Sequence, residues 1–218
     1  MGGPISTRGP QTIAERRTAQ AYAPGAMSRR EQKASLRGKR RRPFEDLIAV
    51  RFPSPAARVN AWLTKLTLRM PRRWRLRRWL IEFSAWRAYN ALGRGDLAVL
   101  RTINHRDVIY DLSGWGWPEA SFYRGLDGVV RFNELWLAQW SEPEFDVASI
   151  EELDHELFLI HLRLGGIGQA SGVEVGMDNF QLVRIRDGLI WHNSFFRDRA
   201  EALQAARGEA DRLASPSG

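Results

Sequence analysis

An acid, two amides and a histidine–asparagine pair are the groups in this 218-residue chain whose types and spacing suit proton-transfer chemistry. Asp111 ends an alternating segment, Asp107 to Leu112, just ahead of a tryptophan-rich loop. A carboxylate at the mouth of an apolar cavity gains proton affinity through desolvation and can move protons near neutrality. Asp111 is therefore the candidate general base; the competing reading is a solvated acid capping a turn onto Ser113 or Gly114. Gln181 can donate a neutral hydrogen bond, and Asn179, two residues earlier, falls on the same face of a strand. His192 and Asn193 interrupt an apolar run, Leu189 to Phe196, and neighbours in a strand face opposite sides, so only one of them points inward. A neutral imidazole at 192 could pair with a carboxylate as acid or base; otherwise it lies at a dimer or solvent face.

Other chemistries lack their residues. His161, between Ile160 and Leu162, and His105, beside Arg106 and Asp107, read as sheet-surface and helix-end histidines. No histidine pair has helical metal spacing, and no two-histidine, one-carboxylate set is evident, so no metal is expected. Gly165-Gly166-Ile167-Gly168 sits between strands and opens no helix, so no nucleotide cofactor is implied. Trp115, Trp117, Phe122, Trp136, Trp140, Trp191 and Phe195 would suit a flat hydrophobic ligand or an ordinary core.

The positioning elements follow from periodicity. Ser54-Pro55 reads as a helix start, with Val59, Trp62, Leu63, Leu66 and Met70 at helical spacing. A second helix runs from near Arg72 to Leu92-Gly93, and Asp96 caps a short third. Leu126 to Trp140 is a further helix. Strands are expected near 144–153, 155–164, 171–186 and 189–196, with turns at Gly165-Gly166 and Arg186-Asp187-Gly188, before a last helix over 200–206. Grouped helices followed by long strands predict an α+β fold, a curved antiparallel sheet wrapped around helices as a cone-shaped roll with a cavity inside.

The chain resembles the SnoaL-like branch of the superfamily named after nuclear transport factor two. The resemblance rests on Trp86-Arg87-Ala88-Tyr89-Asn90-Ala91-Leu92 running into Arg94-Gly95-Asp96, then His105-Arg106-Asp107-Val108, Tyr123-Arg124-Gly125, Gly168 with Ser171-Gly172-Val173-Glu174-Val175, and Arg186-Asp187-Gly188. It implies the cone-shaped fold, a small hydrophobic ligand and a homodimer through the sheet. It also implies isomerase- or cyclase-type chemistry with Asp111 in the general-base position. The isomerases' tyrosine position falls on Ala88, with Tyr89 beside it, and their acid position on Gln181, which argues against steroid isomerisation. An epoxide hydrolase of this family would use an acid, an arginine and a second acid, for which Asp111, Arg184 and Asp178 are a set on paper; strand parity allows that triad or the amide pair, not both.

Charge divides the chain. Lys and Arg outnumber Asp and Glu 20 to 4 over 1–80 and are outnumbered 13 to 21 over 81–218. The expected organisation is a disordered basic arm (1–43), a basic amphipathic helical extension (44–80), the SnoaL-like domain (81–207) and a disordered tail (208–218). Arg69, Arg72, Arg73, Arg75, Arg77 and Arg78, interleaved with Trp74 and Trp79, suit an anionic membrane surface or, electrostatically, nucleic acid. The alternative is a helix pair packing Trp62, Leu66, Trp79 and Phe83 onto the body while arginines reach water. A functional arm predicts salt-sensitive liposome or DNA binding lost on deleting 1–78. Lack of cysteine excludes disulfides and fits a cytoplasmic protein, peripheral to the membrane if the arm docks. Met1-Gly2-Gly3-Pro4-Ile5-Ser6 fits the loose N-myristoylation rule, but composition and an alternative start at Met27 weigh against it. Arg41-Arg42-Pro43-Phe44 lacks the apolar region of an export signal.

Overall fold

The computed structural model describes residues 53–214, with side chains over 55–208. The arm, the start-site and address motifs before residue 53 and the last four residues lie outside that range. Two helices lead, α1 (Pro53–Arg69) and α2 (Arg75–Gly93), then a 3-10 turn (Leu97–Val99) and the short α3 (Leu100–Ile103). They are followed by β1 (Asn104–Asp111), β2 (Phe122–Arg124), α4 (Gly125–Leu137), β3 (Trp140–Asp154), β4 (Leu157–Gly168), β5 (Glu174–Arg186), β6 (Leu189–Phe196) and α5 (Arg199–Ala214). Asp96 caps the 3-10 turn, its side chain accepting from the Ala98 amide at 3.3 Å.

The strands form one sheet in the order β2-β1-β6-β5-β4-β3, antiparallel except for the parallel β1–β6 pair. This corrects the expected cone-shaped roll: the sheet is open and not strongly curled, with β2 and β3 as unjoined edges. Closure requires a ladder between the edge strands, and β2 offers three residues to the fifteen of β3. The α+β class stands.

Both faces of the sheet are covered, unequally. Val108, Tyr110 and Leu112 of β1, Phe158, Ile160, Leu162 and Leu164 of β4, Val183 and Phe195 pack with Leu92, Val129, Phe132 and Trp136 of the helices into the main core. Where a hollow was expected, aromatic rings fill the space: Phe195 lies 5.4 Å from Tyr110, 5.6 Å from Phe132 and 5.9 Å from Trp115 between centroids. On the other face Leu157, Leu159 and Leu182 meet Ala202 and Ala206 of α5 in a smaller cluster.

Gly165-Gly166 is not a turn. Both residues lie within β4, paired to β3 on one side and β5 on the other. Gly166 has φ 145°, and a Cβ there would collide with the Glu142 carbonyl, so the glycines permit close strand approach rather than reversal. Asp187 and Gly188, with φ 56° and 80°, do form the tight turn between β5 and β6.

The first two helices are pinned by a buried cation. Arg77 is 1% exposed; its Nη1 donates to the carbonyls of Leu68 (2.7 Å), Met70 (3.0 Å) and Thr67 (3.3 Å) at the end of α1. Its Nη2 and Nε reach the two oxygens of Glu152 on β3, at 2.7 and 3.3 Å, and Arg72 Nε joins the same carboxylate at 2.7 Å. Asn60 adds a 3.2 Å bond to the Thr102 carbonyl. Contrary to the packing expectation, Trp62, Leu66, Trp79 and Phe83 face outward, Trp62 at 62% and Trp79 at 55% exposure. The reason lies in the helix faces: Arg77, Ala91 and Leu92 of α2 turn inward, leaving the other side of the helix to solvent. Among the described residues no helix is long and apolar enough to cross a membrane.

Candidate functional site

A chain of neutral polar groups is buried on the helix-packed face. Tyr89 of α2 donates its hydroxyl to Gln181 Oε1 at 2.9 Å, and Asn193 Nδ2 donates to the same oxygen at 2.9 Å. Gln181 Nε2 then donates to Asn179 Oδ1 at 2.9 Å, and Asn179 Nδ2 to the Phe196 carbonyl at 3.3 Å. Asn179, Gln181 and Asn193 are all buried, so the inward member of the 192–193 pair is the asparagine. Asn193 Oδ1 is buried with no partner. Tyr110, beside the chain, donates to Asn104 Oδ1 at 3.4 Å. Burial pushes the Tyr110 hydroxyl up to about 12, against the opposing hydrogen bonds of Asn104 and Asn193. Burial, with Coulombic repulsion from Tyr110, also raises that of Tyr89.

Asp111 belongs to the other face. Val108, Tyr110 and Leu112 are core residues, so the pleat turns Asp111 away from the amides. Its Oδ1 accepts from the Ser113 amide at 3.0 Å and the Ser113 hydroxyl at 2.6 Å. Ser194 of β6 is its register partner, and His192, two residues earlier on the same face, has Nδ1 3.3 Å from Ser194 Oγ. The structure thus groups Asp111 with Ser194 and His192, and Gln181 with Tyr89, Asn179 and Asn193. Asp178 and Arg184 share the face of Asp111, but six residues of β5, about 20 Å of strand, separate the two. Asp178 instead accepts from His161 Nε2 at 2.7 Å, and the His161 ring stacks on Phe180 at 4.5 Å.

A cleft of about 430 Å³ opens under the loop after β1, lined by Trp115, Gly116, Trp117, Pro118, Met177, Asp178 and Arg197. Trp115 and Trp117 stack at 5.6 Å, Trp117 Nε1 donates to the Tyr123 hydroxyl at 3.1 Å, and Arg197 Nε holds the Trp115 carbonyl at 2.8 Å. Two lining residues, Asp178 and Arg197, are the sequence neighbours of Asn179 and Phe196, which the buried chain joins by a hydrogen bond. Sequence reasoning missed Arg197, Met177, Tyr110 and Asn104. The first follows a strand as an ordinary surface arginine would, and nothing near Tyr110 or Asn104 in sequence signals their contact. His105 borders a second hollow, about 310 Å³, with Arg101, Asn104 and Arg106. Among the described residues no group of three His, Asp or Glu side chains could hold a metal ion.

The fold is a helix-covered open sheet with an amide chain in its core. The SnoaL-like domain model matches residues 85–193, half of the chain, and the protein belongs to the SnoaL-like family. Similar solved structures include a protein with a ketosteroid isomerase-like fold from Catenulispora acidiphila, in complex with trimethylamine (14% identity, 54% of this chain and 85% of that one, TM-score 0.45). Others are a nuclear-transport-factor-two-like protein of unknown function from Burkholderia pseudomallei (19%, 56% and 94%, 0.45) and a loop-truncation variant of IdmH (24%, 53% and 91%, 0.43). No curated protein matches the chain.

Proposed function

We propose that this SnoaL-like protein binds a small, flat, largely apolar molecule in the cleft beneath the Trp115–Pro118 loop. One observation carries the reading: a cleft of ligand size is lined by stacked tryptophans with Arg197 and Asp178 beside them, and Asp178 is followed directly in β5 by Asn179 of the buried amide chain. Apolar rings supply affinity there, and few polar groups fix orientation. A ligand hydroxyl that reached Asn193 Oδ1 would satisfy it; Tyr89, Gln181 and Asn179 hold that oxygen in place. The binding residues of this reading are thus Trp115, Tyr89, Asn179, Gln181 and Asn193. Its setting is the cytoplasm, and it requires no cofactor.

The fluorescent probe anilinonaphthalene sulfonate, a flat apolar anion, tests it. Trp117→Ala should weaken probe binding about tenfold, compared at a temperature where circular dichroism shows both proteins folded because the ring also stacks on Trp115 and bonds Tyr123. Equal affinity in that variant would remove the ligand from the cleft.

A second reading is favoured by the grouping of Asp111, Ser194 and His192 on one sheet face. There Asp111 acts as general base in an isomerase- or cyclase-type reaction on a cyclic carbonyl compound, with His192 as a second proton carrier. Turnover of such compounds lost in Asp111→Asn, with the fold intact, supports catalysis; stoichiometric binding with no product leaves a non-catalytic binding module. The homodimer through the sheet would use the exposed start of β5 at Val175, on the strand face opposite the one that α5 covers. Sedimentation of Val175→Lys, which lies outside the cleft lining, checks it: a dimer that persists unchanged lies elsewhere.

A further inference from the structure

Independently of the ligand cleft, we infer that the outward face of the α1–α2 hairpin is a docking surface for an anionic lipid bilayer. Nine of the thirteen large hydrophobic side chains exposed among the described residues lie between Val59 and Trp86. They fall into two stripes. Val59, Trp62, Leu63 and Leu66 recur at helical spacing on α1, and Leu76, Trp79, Phe83 and Trp86 do so on α2, with Trp74 at the connection. Trp79, Phe83 and Trp86 form a continuous ladder, centroids 5.2 and 6.2 Å apart. An exposed apolar patch of this kind marks a contact surface rather than chance exposure.

Charge identifies the occupant. Residues 53–94 contain ten Lys and Arg and one acid, Glu82. Around each helix axis the cations flank the stripes: Arg58, Lys65 and Arg69 beside that of α1, Arg75 and Arg87 on the two sides of that of α2. Among the described residues no carboxylate pairs with Arg58, Arg69, Arg73 or Arg75, all exposed. Tryptophans within an apolar stripe edged by arginines match the acyl–headgroup boundary of an anionic membrane. A second copy would bring the same cationic rims together across a two-fold axis, at a repulsive cost. Residues 1–52, with twelve Lys and Arg against four acids, would meet the same repulsion. Nucleic acid would satisfy the arginines and leave the aliphatic side chains of the stripes unused. Arg77 takes no part, since it is consumed in the Glu152 pin. The pin makes the hairpin a rigid base, so no ordering of a free helix precedes docking.

Flotation of the full chain with vesicles tests the inference, using phosphatidylcholine alone or with roughly a third phosphatidylglycerol. The chain should float with the anionic vesicles, with a blue shift of tryptophan emission, and lose that binding as salt rises. Two variants leave residues 1–52 intact. Trp62→Ser/Trp79→Ser/Phe83→Ser/Trp86→Ser and Arg58→Gln/Arg69→Gln/Arg73→Gln/Arg75→Gln should each weaken partition by at least about tenfold. Their altered side chains are exposed, so melting temperatures should hold; should a quadruple variant misfold, Trp79→Ser and Arg75→Gln alone must shift partition in the same direction. Four outcomes overturn the inference. The parent chain does not float with either vesicle; both variants float as the parent does; duplex DNA binds and only the arginine variant loses it; or sedimentation shows a dimer that the aromatic variant dissociates without any vesicle binding. Probe binding in the Trp117 cleft is read separately, so failure here leaves the ligand reading standing.

Discussion

The two faces of the sheet handle polar groups in opposite ways. On the main-core face, the buried Gln181, Asn179 and Asn193 and the half-buried Tyr89 are bonded to one another, and no carboxylate or histidine joins them. On the other face Asp111, Asp178, His161 and His192 are ionisable and partly open to water, each bonded to a near neighbour. Burial explains the division, because an amide survives in an apolar core if its bonds are made, whereas a lone carboxylate there is far more expensive. The lesson is that the neutral amide chain and the ionisable side chains lie on opposite faces of one sheet, so a single ligand pose cannot engage both sets without rearrangement.

Substitutions on the two faces should differ accordingly. Gln181→Ala carries the largest effect, about 3 to 5 kcal/mol by urea unfolding, since it strands the Tyr89 hydroxyl, Asn193 Nδ2 and Asn179 Oδ1 together. A loss under about 1 kcal/mol would mean that the chain is solvated. Next comes pH. Tyr110 is held at about 12 in the fold against 10.0 in the unfolded chain, so its contribution is fully present below pH 10 and lost as pH rises toward 12, about 3 kcal/mol in all. Tyr89 shifts in the same direction. Alkaline titration followed by near-ultraviolet dichroism should show unfolding in that window, and Tyr110→Phe should remove part of the dependence. Tyr89→Phe, which leaves Gln181 Oε1 its bond from Asn193, should cost about 1 kcal/mol. Asp111→Asn should change stability least, within about 0.5 kcal/mol, because an amide oxygen can still accept from Ser113. A large destabilisation there would place Asp111 in a far drier environment than its Ser113 turn indicates.

Local features were legible wherever a period or a turn chemistry decided them. The shared face of Asn179 and Gln181, the single inward residue of His192-Asn193 and the Asp187-Gly188 turn all follow from strand alternation and backbone preference. What escaped depends on distant partners. Six arginines between 69 and 78 look alike in sequence, and only Glu152, seventy-five residues from Arg77, selects the one that is buried. Gly165-Gly166 reads as a reversal because the dipeptide usually is one; two flanking strands crowding the same backbone made it a close approach instead. The openness of the sheet was hidden too, since it turns on the brevity of β2, which carries no pattern of its own.

The Arg77 pin bears on how the molecule can be dissected. Truncation after residue 78, the obvious way to ask what the basic leader contributes, would remove the guanidinium from a carboxylate that is 17% exposed and take Arg72 with it. The remnant would report the distress of an orphaned anion beneath β3 rather than the loss of a leader. An informative cut therefore lies upstream of α1, sparing the bracket that fastens the first helices to the sheet.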